Sequence, residues 1–123
     1  MSSHSIFTRI INRELPSYIV CEDKENIAFL DINPLRRGHT LIVPKLEVDN
    51  IFSLNKNSYN SLFSFAKKIA INMKKKIACN RIGMSVVGLD VPHAHIHLIP
   101  INSFEDMNFN KSPLKFTDEE MLN

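Results

Sequence analysis

From Pro92 to Pro100 the chain reads Pro-His-Ala-His-Ile-His-Leu-Ile-Pro, with a histidine at every second position and an apolar residue between. A period of two belongs to a β-strand, whose successive side chains point to opposite faces. A strand here sends His93, His95 and His97 to one face and Ala94, Ile96 and Leu98 to the other. The apolar face then requires a covering layer. The histidine face requires a partner for each buried ring nitrogen.

A pattern of different period lies upstream. Tyr59, Leu62, Phe63, Ala66, Ile69, Ala70, Met73 and Ile77 recur at three- and four-residue steps, the apolar stripe of an amphipathic helix. The stripe predicts a helix over 55–78. Lys67, Lys68, Lys74, Lys75 and Lys76 fill much of the remaining surface. With no aromatic residues interleaved to stack bases, they read as a solvated face that also suits the carboxyl end of the helix dipole. A short helix is expected over 6–12, where Ile6, Phe7, Ile10 and Ile11 share a face, ended by Leu15-Pro16.

Strands are expected over 18–22 and 27–32, joined as a hairpin by the polar turn Asp23 to Asn26. A third covers 39–43 and is closed by Pro44. Two more cover 82–89 and 94–101, connected by Asp90-Val91-Pro92. The order predicts an α+β fold: an antiparallel sheet of about five strands with one long and one short helix. The tail from Asn102, with Phe104, Met107, Phe109 and Phe116, follows no regular pattern.

The 123 residues fit a single domain, 1–123, with a motif-bearing core of about 5–101 and a C-terminal tail of 102–123. The chain is 44% hydrophobic and 23% charged, as soluble globular proteins are. Met1 to Ile10 lacks a signal-peptide apolar run, and no stretch approaches the roughly 20 apolar residues of a membrane span. Cys21 and Cys79 stand apart without C-x-x-C spacing, so a cytoplasmic protein with reduced thiols is expected. A net charge of +2 is too small to imply a nucleic-acid groove. Neither a nucleic-acid nor a membrane partner is expected.

Two chemistries suit the histidine row. Imidazoles on one strand face can share a zinc ion. Imidazole, with a pKa near 6.5, is also neutral and nucleophilic at physiological pH, while a neighbour supplies a proton. Spacing alone leaves both open.

His93 to Ile99 resembles the signature of the histidine triad family, His-φ-His-φ-His-φ-φ with φ apolar, at every position. Ser5-Ile6-Phe7, Ile10-Ile11 and Glu14-Leu15-Pro16 look like that family's amino-terminal segment. Ala28 to Pro34 resembles its second-strand signature, and Gly38 to Lys45 its third. The resemblance covers about Ser5 to Ile101 and favours phosphorus chemistry over metal binding.

It implies a hydrolase or nucleotidyl transferase acting on the α-phosphate of purine nucleotide conjugates, with no cofactor and no metal. His95 would be the nucleophile forming a nucleotidyl-histidine. His97 would contact the phosphate and assist the leaving group, His93 would orient the nucleophile, and His39 would complete the cluster. Asp31 would hold the ribose hydroxyls, while Ile6, Phe7, Ile10, Phe29 and Ile32 would sandwich the purine. The resemblance also implies a homodimer, with the tail near the partner's site. A non-catalytic nucleotide-binding module is the alternative, because one segment departs from the family. Gly88-Leu89-Asp90-Val91-Pro92 is shorter than the glycine-rich phosphate loop of many relatives and lacks its glutamine. Asp90 stands where relatives often carry a small hydroxyl residue, and its charge would repel a phosphate unless it turned away or were protonated.

Overall fold

In the computed structural model, which describes residues 4–122, every strand pairing is antiparallel. Helix α1 spans Ile6–Ile11; strands β1 (Ile19–Glu22), β2 (Asn26–Leu30) and β3 (Thr40–Pro44) follow. Helix α2 (Lys56–Lys76) then leads to β4 (Arg81–Ser85), β5 (Ile96–Ile101) and a short tail helix, α3 (Asp118–Leu122). The sheet order is β1-β2-β3-β5-β4, so the histidine-bearing strand lies inside the sheet and β1 and β4 form its edges. The α+β expectation holds, with α3 as the element that the irregular tail concealed.

Local chemistry accounts for the boundaries. The Ser5 hydroxyl accepts the Thr8 amide at the start of α1, and the Asn55 side chain accepts the Ser58 amide at the start of α2. Both are N-caps that satisfy otherwise unpaired amides. Helix α1 ends before Pro16, because Asn12 closes its last turn and Arg13 turns left-handed at φ 62°. In the hairpin turn, Asp23 Oδ1 accepts the amides of Glu25 (2.9 Å) and Asn26 (2.7 Å).

Helix α2 lays Leu62, Phe65, Ala66, Ile69 and Met73 on Ala28, Ile42, Ile96 and Leu98, together with Ala94. Each large side chain buried there contributes about 1.5–3 kcal/mol. On the opposite face Phe7, Ile27, Phe29, Leu41 and Val43 form a second cluster under α1, joined by Ile10, Ile11 and Val91. The alternation of the histidine run therefore divides the molecule. Ala94, Ile96 and Leu98 face α2, and the histidines face the α1 side.

Two strands fall short of the pattern by two residues or more. Strand β5 begins at Ile96, because the amides of His93 and Ala94 bond to Val91 O and Val48 O rather than to a neighbouring strand. Strand β4 stops at Ser85, opposite His97. Beyond it Val86, Val87 and Leu89 are exposed, and Gly88 takes a positive φ of 76°. Among the described residues no helix is long and apolar enough to cross a membrane.

Candidate active site

His39, His93, His95 and His97 are all buried, at 2%, 0%, 1% and 3% exposure. Neutral imidazole tolerates this only when its nitrogens find partners, and those partners assign each proton. Pro44 O lies 2.7 Å from His93 Nε2, and a carbonyl can only accept. His93 therefore carries its proton on Nε2, leaving Nδ1 to accept from Ser5 Oγ at 2.7 Å. His93's own carbonyl in turn accepts from His95 Nδ1 at 2.7 Å. With the His95 proton fixed on Nδ1, Nε2 keeps its lone pair, and this nitrogen has no hydrogen-bond partner among the described residues.

A second chain of bonds runs through His39. The Leu35 amide donates to His39 Nδ1 at 3.0 Å, so the His39 proton sits on Nε2. Nε2 donates to His97 Nδ1 at 2.9 Å, which leaves His97 Nε2 as an N–H donor. Burial pushes both rings down, His39 to about 4 and His97 to about 4, with the His95 ring contributing second. Burial also lowers His93. His39 and His97 are thus neutral at physiological pH, and the hydrogen bonds leave one free lone pair at His95 and one N–H at His97.

Asp31 Oδ2 lies 3.6 Å from His39 Nε2, while its Oδ1 accepts the Asn33 amide at 2.8 Å, the local turn that ends β2. Burial raises its carboxyl, against the pull of the Asn33 amide. Asp31, His39 and His97 converge closely enough to suggest a metal site. The Leu35 amide opposes ligation there, since a metal on His39 Nε2 would force the ring proton onto Nδ1, against another N–H.

The apolar positions separate into two groups. Phe7 and Phe29 are buried edge to face at 5.5 Å, and Phe7 meets the His95 ring at 4.9 Å. Ile10 packs on the same cluster. Ile6 and Ile32 stand outside it, 52% and 68% exposed.

Two features were not visible in the sequence. Glu47 Oε1 accepts from the Ser5 amide (2.7 Å) and from Thr8 Oγ1 (2.5 Å), which braces the cap that holds His93. Phe109 from the tail lays its ring 4.8 Å from that of His97, so the tail covers the site of its own chain. Its anchors are the Leu114 amide on Pro34 O, a Tyr18–Asp118 hydrogen bond, and Arg37 over the Phe116 ring. Asp90, which the sequence did single out, places its carboxylate 3.4 Å from His95 Nε2. A cavity of about 210 Å³ continues from there, lined by Asp31, His39, His97, Asp90, Phe109 and Lys111 among others.

A protein with this sheet, this histidine row and this pair of buried proton chains is of the histidine triad class. The HIT domain model matches residues 12–104, and the chain belongs to that family. An uncharacterized HIT-like protein of Borreliella burgdorferi is 38% identical over 102 residues, covering 77% of this chain and 73% of that one. The adenosine 5'-monophosphoramidase of Saccharomyces cerevisiae is 34% identical over 96 residues, covering 77% of this chain and 61% of its own. Among solved structures, a Hit-like protein of Bartonella henselae superposes with a TM-score of 0.85 at 28% identity, covering 98% of this chain and 90% of that one.

Proposed function

We propose that the protein hydrolyses purine nucleoside 5'-phosphoramidates through a nucleotidyl-histidine intermediate on His95. The observation that carries this reading is the state of that ring. Nδ1 is tied to a backbone carbonyl at 2.7 Å and Nε2 is buried with its lone pair free, as a nucleophile at phosphorus requires. The monophosphoramidase activity of the yeast relative supports the same substrate class.

In the first step the Nε2 lone pair forms an N–P bond. The P–N bond of the substrate breaks, its electron pair stays on the leaving nitrogen, and that nitrogen takes up one proton from solvent. Water then adds its oxygen to phosphorus, the N–P pair returns to Nε2, and the water protons pass to solvent. Transfer to another acceptor would replace water in this second step. His97 Nε2–H donates to the phosphoryl oxygens or the leaving nitrogen as charge develops there. His93 orients the nucleophile through its carbonyl, and His39 holds the His97 tautomer. Asp31 takes the ribose hydroxyls, and Ile6, Phe7, Ile10, Phe29 and Ile32 form the purine site.

The reading extends to a single-domain cytoplasmic homodimer. The outer edge of β4 is free to pair, and a small domain gains core by association. A second reading, a binding module without turnover, is favoured by Asp90, whose carboxylate occupies the approach to Nε2.

Intact mass spectrometry after brief incubation with adenosine 5'-phosphoramidate and an acid-free quench, alongside assay of released monophosphate, separates the two. The wild type gains an adenylyl adduct or turns over, and His95→Ala loses turnover by about 10⁴-fold. Tight monophosphate binding with no turnover in either protein would leave the binding module.

A further inference from the structure

Asp90 is 67% exposed at its side chain, yet its Oδ1 stands 3.4 Å from His95 Nε2, a buried nitrogen with no hydrogen-bond partner among the described residues. A carboxylate facing the lone pair that must meet an anionic phosphate opposes the reaction unless a positive charge arrives with the substrate. The adjoining cavity makes the imbalance larger. With its histidines neutral, it presents the carboxylates of Asp31 and Asp90 against the single ammonium of Lys111. Asp90 also pushes the Asp31 carboxyl up, in addition to burial.

We propose that Asp90 is a specificity-determining residue that selects phosphoramidates whose leaving amine carries a second, protonated amino group. The inference rests on the phosphoramidate reading above and adds the class of leaving group to it. The distal ammonium pairs with the Asp90 carboxylate and draws it away from His95 Nε2, so the substrate itself clears the path for attack. A conjugate with an uncharged alkyl amine leaves the carboxylate unpaired beside the phosphate. A nucleoside di- or triphosphate brings more negative charge into a cavity that already carries it. Bond making and breaking are unchanged, since the distal ammonium keeps its protons and the scissile nitrogen takes its proton from solvent.

The test compares two adenosine 5'-phosphoramidates of equal length, one of butylamine and one of 1,4-diaminobutane. Asp90→Asn removes the charge and keeps the oxygen that accepts the Val91 amide at 3.1 Å, so the loop is preserved. In the wild type the diamine conjugate has a kcat/KM about 10-fold higher, the scale of one charge-assisted contact. In Asp90→Asn the ratio falls towards one, with the butyl conjugate gaining. A wild-type ratio near one, or a preference that Asp90→Asn leaves in place, overturns the proposal. Calorimetric Kd values for both conjugates, on His95→Ala with and without Asp90→Asn, make the same comparison without chemistry. A charge preference there that disappears with Asp90→Asn, combined with no turnover by the wild type, would sink the hydrolase reading and leave the selection by Asp90 standing.

Discussion

Ser5 Oγ donates to His93 Nδ1 across 2.7 Å while accepting the Thr8 amide at 3.0 Å, so one hydroxyl caps α1 and fixes the first histidine of the row. Through the His93 carbonyl the same hydroxyl reaches His95 Nδ1. The helix bearing Phe7 and the His95 ring are thereby joined by three consecutive hydrogen bonds.

Replacing Ser5 by alanine removes the cap and strands a buried ring nitrogen. A loss of about 1–3 kcal/mol is expected, read as a lower urea midpoint with an unchanged slope. Ser5→Thr, which keeps the hydroxyl, recovers most of it. An alanine variant with the wild-type midpoint would remove Ser5 from this role.

Gly38 precedes His39 at φ +89°, and a Cβ there would stand 2.7 Å from Ile77 Cδ1. The Ile77 side chain can shift, but a left-handed backbone still costs an L-residue about 1–2 kcal/mol. Gly38→Ala is expected to lower the melting temperature by several degrees. Gly38→Asn, better tolerated in that region, falls between the two.

Stability should decline as the solution is acidified. His39 and His97 bind protons near pH 6.5 when unfolded but only at about 4 when folded. Between those limits the unfolded chain carries more protons, so stability is fully present above pH 6.5 and is lost as pH falls towards 4. Each ring contributes up to about 3 kcal/mol across that window, less in combination because the two share one proton chain. Urea midpoints at pH 7.5 and pH 5 measure the slope, and His97→Leu, which has no ring to protonate, should flatten it. The raised Asp31 carboxyl works in the opposite direction and offsets a small part of the loss.

If Asp31 holds the ribose, Asp31→Asn should weaken adenosine monophosphate binding by about 10-fold, the value of a charged hydrogen bond. Its effect on 2',3'-dideoxyadenosine monophosphate should be near zero. Equal losses for the two ligands, measured by calorimetry, would move Asp31 out of ribose recognition and into the local turn it forms with Asn33.

The fold was legible where periodicity is strict. The stripe from Tyr59 to Ile77 placed α2 to within two residues of each end, and the alternation from His93 to Leu98 assigned every side chain of the run to its correct face. Boundaries set by distant partners were not legible. Nothing near Ser85 marks the end of β4, which stops opposite His97 because β5 itself begins at Ile96. Within the site, the histidines and Asp31 could be listed from their spacing and family likeness. The Ser5–His93 bond spans 88 residues and the bond from Thr8 to Glu47 spans 39, and no local pattern joins such positions. Phe109 was hidden for a related reason, since its aromatic contact with His97 depends on how the tail is pinned at Pro34 and Tyr18.

The Leu35 amide gives the site an unusual kind of durability. The instruction that places a proton on His39 Nε2, and so on His97 Nε2, comes from the main chain rather than from a side chain. Any residue with an N–H delivers it equally well, so position 35 is free to drift through evolution without altering where the protons reside. Proline is the exception, and a proline there would silence the relay while leaving all four histidines in the sequence.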